Sequence, residues 1–228
     1  GKSTMAAAIA FGLKAYGSNV GLMDADVYGP SIPHLLGAKG RPMAMGERIH
    51  PIDSGGLKLM SMGFLLEPDK AVIMRGPMLH GIMQQFLHQV DWGQLDYLVI
   101  DLPPGTGDAQ LTLTQKVPLD GAVVVTTPQD VALIDARKGL AMFRKVNVPV
   151  LGIVENMSYF ICRHCGEREE IFGHGGGRRT AEMLGVPFLG EIPIDPAVVV
   201  GGDSGEPIVA TQPDSVAAKA FTELARQV

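Results

Sequence analysis

At 228 residues the chain is long enough for one α/β domain with a sizeable core. Its net charge of -5 and the absence of a long basic run argue against a nucleic-acid or anionic-membrane surface, and no transmembrane or signal-peptide pattern is visible, so cytoplasmic placement is expected. The two cysteines, Cys162 and Cys165, stand close together, which fits a metal or redox pair rather than a secreted disulfide framework.

The sequence opens on Gly1-Lys2-Ser3-Thr4, the last part of a phosphate-binding loop. The full loop has an earlier glycine and a preceding strand. Neither lies within 1–228, so a single, N-terminally truncated P-loop ATPase domain is expected. The Ala-rich run from Met5 to Tyr16 predicts a helix. Its N-terminus carries free backbone N–H groups and a favourable dipole for phosphate. Lys2 would reach the β- and γ-phosphates, and Ser3 would ligate Mg²⁺. The alternative is an ordinary capped helix.

Asn19 to Asp24 reads as a strand ending in Asp24 and Asp26. One acid could orient water near a γ-phosphate and the other support the metal, with Asp26 favoured over Asp24 as the functional one. Alternatively both cap the short segment Ser31–Leu36. Gly37 to Asp69 reads as irregular, with a short strand from Leu57 to Met62. Pro77 to Val90 predicts a helix with Met78, Ile82, Phe86 and Val90 on one face. His80 and His88 on it have no partner pair and read as surface or packing residues.

Tyr97 to Asp101 is a short apolar run, as in a strand buried on both faces of a parallel sheet. It ends in one carboxylate and breaks into a Pro/Gly loop. Ligands of open parallel sheets sit beyond the carboxyl ends of the strands, which places Asp101 near a hard cation. A helix is expected over 109–115, a strand from Gly121 to Thr127, and a helix from Val131 to Lys145 capped by residues 126–130. Strands follow at Val150–Val154 and Pro187–Ile192, then a closing helix from Asp214 to Val228 with Ala217, Phe221, Leu224 and Val228 on one face. The β-α-β rhythm predicts an α/β P-loop NTPase with a mostly parallel sheet and helices on both faces.

Cys162-Arg163-His164-Cys165 follows the Asn156 strand and precedes Gly173-His174-Gly175-Gly176-Gly177. Two thiolates at this spacing chelate one edge of a metal site, whereas zinc or an iron–sulfur cluster usually takes four ligands. A second copy could supply the other pair across a two-fold axis, His164 or His174 could complete a local zinc site, or the pair could be a dithiol switch.

Together, GKST at 1–4, MDADVYGPSIP at 23–33, MRGPM at 74–78, LVIDLPPGTGD at 98–108, TTPQDVAL at 126–133, VENMS at 154–158, CRHC at 162–165 and GEIPID at 190–195 resemble the Mrp/ApbC-type P-loop ATPases. These are iron–sulfur cluster carriers related to MinD and the nitrogenase iron protein. The resemblance implies an ATP-dependent homodimer that binds a [4Fe–4S] cluster between subunits and passes it to recipient apo-proteins. By it, Gly1, Lys2, Ser3 and Thr4 contact phosphates and Mg²⁺, Asp26 helps activate water, and Asp101 lies near Mg²⁺, a water away, as the Walker B acid. Asn156 reads adenine, the Pro193 region lines the base, and Cys162 and Cys165 bridge the cluster. The family's upstream lysine falls outside the sequence. A MinD/ParA-like positioning ATPase is the alternative, but the last helix is not basic and the CxxC points elsewhere. A zinc scaffold or redox switch on the same fold is another. A nickel-enzyme GTPase would carry an Asn-Lys-x-Asp segment, and none is found.

Overall fold

The computed structural model describes residues 1–65, 76–105, 110–111, 114 and 117–228. The first helix, α1 (Lys2–Ala15), carries a run of small residues that lets it sit deep in the molecule: Met5 to Ala10, Gly12 and Leu13 are all buried. A Cβ at Gly12 would fall 2.4 Å from that of Ala225, so the contact with the last helix, α8 (Val216–Gln227), depends on the missing side chain.

Two parallel units of sheet follow. In the first, β1 (Val20–Asp24) lies between β5 (Leu57–Ser61) and β6 (Tyr97–Asp101), parallel to both, and β4 (Ile52–Ser54) adds an antiparallel edge, in the order β4-β5-β1-β6. In the second, β8 (Val150–Glu155) runs parallel to both β7 (Ala122–Thr126) and β11 (Phe188–Glu191), in the order β11-β8-β7. Residue alternation along the strands sorts side chains between two faces. Leu22, Leu57, Leu59, Val99, Val123, Val125, Val154 and Leu189 join the core formed with α1 and α8. Met23, Met60, Leu98 and Ile100 face the other way, onto α3 (Gly76–His88) through Met83 and Phe86. Val124, Ile153 and Phe188 do the same toward α4 (Asp130–Lys145) and α5 (Gly176–Leu184). Helices therefore cover both faces, as the sequence predicts.

Several expectations change. Leu98, Val99 and Ile100 are half-buried rather than enclosed, because among the described residues β6 borders its sheet and has a strand on one side only. The stretch expected to be irregular holds three additional strands, β2 (Met43–Met45), β3 (Arg48–His50) and β4. The turn Gly55-Gly56, both residues at positive φ, joins β4 to β5 as a two-residue hairpin. On α3 the buried residues among those described are Met83 and Phe86, while Met78 is exposed; Val90 lies past the helix end in a bridge to Ile49. His88 is exposed, and the side chain of His80 lies outside the described set, as does most of the helix expected over 109–115. Gln129 precedes α4 without a side-chain cap. Nothing expected from the sequence anticipates α5, α6 (Pro196–Ser204), the short α7 (Ile208–Thr211) or the small hairpin of β9 (Phe160–Ile161) and β10 (Arg168–Glu169).

Strand register brings acids into rows. Ser61, Asp24 and Asp101 are level at the carboxyl end of the first sheet. Thr126, Glu155 and Glu191 are level at that of the second.

Candidate nucleotide and cysteine sites

The N-terminal turn of α1 holds no acidic residue that would compete for its N–H groups. Gly1 and Lys2 are exposed there, and Ser3 and Thr4 are half-buried. Asp101, 4% exposed at the end of β6, lies beside this turn. Burial pushes its carboxyl above the usual range; the Ser3 hydroxyl and the Lys2 charge oppose that, and the nearby Asp26 charge adds to it. Its Oδ2 is buried and has no hydrogen-bond partner among the described residues. An orphaned, buried carboxylate oxygen next to a serine hydroxyl suits a hard cation, which takes oxygen ligands.

The two acids after β1 divide their work. Asp24 is fully buried. Its Oδ2 accepts from Ser61 Oγ at 2.9 Å and from the Ile32 N–H at 3.2 Å, and its Oδ1 from the Asp26 N–H at 3.1 Å. It thus caps α2 (Ile32–Leu35) from a distance, a task Ser31 at the N-cap leaves undone. Desolvation dominates these bonds and raises the Asp24 carboxyl to about 6. Asp26 is only half-buried, and its Oδ1 accepts from the Tyr28 and Gly29 N–H groups, both at 3.2 Å. The expected capping role therefore falls to Asp24, while Asp26 braces the turn that follows it.

Asn156, 8% exposed, follows β8 directly. Its Oδ1 accepts from the Met157 N–H at 3.0 Å, which braces Met157 in a left-handed conformation at φ 53°. The chain 155–159 runs hydrogen-bonded beside 192–194: Ile192 N–H to Glu155 O at 2.9 Å, Ser158 N–H to Ile192 O at 2.9 Å, Ile194 N–H to Tyr159 O at 2.6 Å. Asn156 and the buried Pro193 consequently stand on adjacent strand extensions.

The cysteines occupy the tip of the β9–β10 hairpin. Cys162 N–H donates to Glu167 O and Gly166 N–H to Cys162 O, each at 2.9 Å. Cys162 is half-buried, Cys165 is exposed, and neither forms a disulfide. The backbone N–H groups of Cys165 and His164, with the Cys165 thiol, pull the Cys162 thiol below its usual value. His174 points away, its Nδ1 3.0 Å from Glu170 Oε1. Among the described residues no group of three or more His, Cys, Asp or Glu is gathered as for a metal ion. The zinc site completed by a local histidine is thus not assembled.

Sequence reasoning passed over Glu155. This fully buried glutamate accepts from Ser158 Oγ at 2.7 Å and from the Gly177 N–H, so one carboxylate holds both roots of the cysteine-bearing excursion. The available signal was an acid ending an apolar strand, the same sign that marked Asp24 and Asp101.

No helix among the described residues is long and apolar enough to cross a membrane. The chain is 54% identical, over all of its length and 66% of the relative's, to an iron–sulfur cluster carrier protein of Synechocystis. It is 50% identical, over all of its length and 72% of the relative's, to the iron–sulfur cluster transfer protein NUBPL of Dictyostelium discoideum. The chain therefore spans about two thirds of the length of such relatives. A nucleotide-binding protein of Archaeoglobus fulgidus, solved with ADP and cobalt, superposes with a TM-score of 0.79 at 42% identity, covering 89% of this chain and 80% of that one. Residues 1–228 match the ParA family model described as NUBPL iron-transfer P-loop NTPase, and the chain belongs to that family.

Proposed function

We propose that the protein is an ATP-dependent carrier that binds a [4Fe–4S] cluster between two copies of the chain and delivers it to recipient apo-proteins in the cytoplasm. The observation that carries this reading is the cysteine pair. Two free thiols, one of them exposed, sit at a hairpin tip with no third ligand gathered beside them among the described residues. A four-ligand cluster held there needs a second pair, and a two-fold homodimer supplies it. A site shared in this way is open at its edge, as release of a cargo requires. The family and the relatives' names support the same cargo.

On the nucleotide side, the residues fit ATP and Mg²⁺. Gly1 to Thr4 would cradle phosphates on the first turn of α1, and Lys2 would place its charge on the β- and γ-oxygens. Ser3 and Asp101, the latter by way of water, would hold Mg²⁺, which supplies neutralising charge when bound. Asp26 would orient the attacking water. Asn156 and the Pro193 segment would take the adenine. Recognition of nucleic acid or membrane has no part in this reading.

The test is anaerobic reconstitution with iron and sulfide, comparing wild type with Cys162→Ala/Cys165→Ala. About four irons and four sulfides per dimer, lost in the variant, support the carrier. Zinc alone, or a reversible disulfide without metal, refutes it.

A further inference from the structure

The hairpin that carries the cysteines is joined to the sheet edge in two different ways. At its base the joints are backbone bonds and a buried acid: Ser158 N–H to Ile192 O, Ile194 N–H to Tyr159 O, and Glu155 to Ser158 and Gly177. At its tip the joints are two ion pairs reaching the same neighbouring segment. Arg163, between the cysteines, donates through an Nη atom to Asp195 Oδ1 at 3.1 Å. Arg168, on the return strand, donates to Glu191 Oε2 at 2.9 Å. The Arg168 guanidinium also stacks on the Tyr159 ring, 3.9 Å from its centroid, which fixes its direction.

The acceptors are more buried than the donors. The Glu191 side chain is 17% exposed and that of Asp195 is 22% exposed, against 41% for Arg168 and 65% for Arg163. Glu191 ends β11 in register with Glu155. Asp195 is the N-cap of α6, where the oxygen that receives Arg163 also accepts the Ala197 N–H at 2.9 Å. The carboxylates are thus part of the sheet edge, and the arginines belong to the hairpin. Exposed ion pairs are weak and salt-sensitive, which suits a joint that opens.

We infer that Arg163–Asp195 and Arg168–Glu191 form a latch that holds the cysteine hairpin against the sheet edge, and that its opening governs how firmly the two thiolates hold their cargo. The latch stands on contacts in the chain itself; its effect on cargo rests on the carrier reading. Arg163 and Arg168 are positioning residues here, since they act by placing Cys162 and Cys165.

The test uses Asp195→Asn/Glu191→Gln. Asparagine keeps the cap of α6 and glutamine keeps an acceptor oxygen, so the charge is removed with little change of shape. In metal-free protein, amide hydrogen exchange at Ser158 and Ile194, which bond across the junction, is expected to quicken about five-fold. Raising salt from about 0.02 M to about 0.5 M should quicken it in wild type and leave the variant unchanged. Glu223→Gln, which breaks an exposed pair on α8, is the control and should not alter these amides. In reconstituted protein, loss of iron to a ferrous chelator should also be several-fold faster in the double variant. Exchange within two-fold of wild type at both amides overturns the latch. Faster exchange with an unchanged rate of iron loss overturns its role in holding cargo. Failure of wild type to take up iron defeats the carrier reading alone, because the exchange comparison is made without metal.

Discussion

Replacing Asp24 by asparagine should flatten the pH dependence of stability between about pH 4 and pH 6. The carboxyl is fully buried and titrates near 6 in the folded protein, against 3.8 for the free side chain. Over that interval the folded state holds a proton that the unfolded chain has released. Stability must then fall as pH rises, and ionised Asp24 costs about 3 kcal/mol at neutral pH relative to acid, at ~1.4 kcal/mol per pH unit. Asp24→Asn removes that titration while retaining an oxygen for Ser61 or Ile32. Urea unfolding followed through the single tryptophan, buried Trp92, at a series of pH values measures the difference. Asp101, whose carboxyl burial also raises and whose charge acts on Asp24, titrates in both proteins, so subtracting one curve from the other leaves Asp24 together with its coupling to Asp101. A wild-type minus variant difference that stays constant from pH 4 to pH 7 would refute the account.

Glu155→Ala should cost about 3 kcal/mol in urea unfolding, since it strands the Gly177 N–H and the Ser158 hydroxyl; Glu155→Gln should cost about 1 kcal/mol. Lys2→Ala should lower ATP turnover about 10²–10³-fold without shifting the melting temperature, because the side chain is exposed and packs on nothing it must fill. Gly205→Ala should destabilise by about 2–4 kcal/mol by calorimetry: Gly205 sits at φ 75°, and an added Cβ would fall 2.4 Å from Gly37 Cα.

Strands that end in acids were legible because their chemistry is local. An apolar run, then a carboxylate, then glycine or proline marks Asp24 and Asp101 without knowledge of the fold. The division between Asp24 and Asp26 was not legible, because it depends on Ser61 and Ile32, which approach only after β1 and β5 pair. The strands between 43 and 54 were hidden by their shortness, and by methionines that carry no period-two alternation. Helix α5 starts on glycines, poor helix formers, and its N-terminus is stabilised by Glu155 from a different strand. Cys162 and Cys165 declared themselves by spacing, but what positions them is distributed over Glu191 and Asp195 and surfaces only in three dimensions.

Glu155 has a consequence for the length of the excursion it closes. Once Ser158 and Gly177 are held by one side chain, the chain between them is a closed loop whatever its contour. Closure entropy grows only with the logarithm of loop size, about 0.6 kcal/mol for each doubling. Residues added to or removed from the exposed stretch around Gly173, beyond the hairpin that carries the thiols, would thus be nearly neutral for the domain. Length on the return side of the excursion and stability of the sheet are separately adjustable quantities in this architecture.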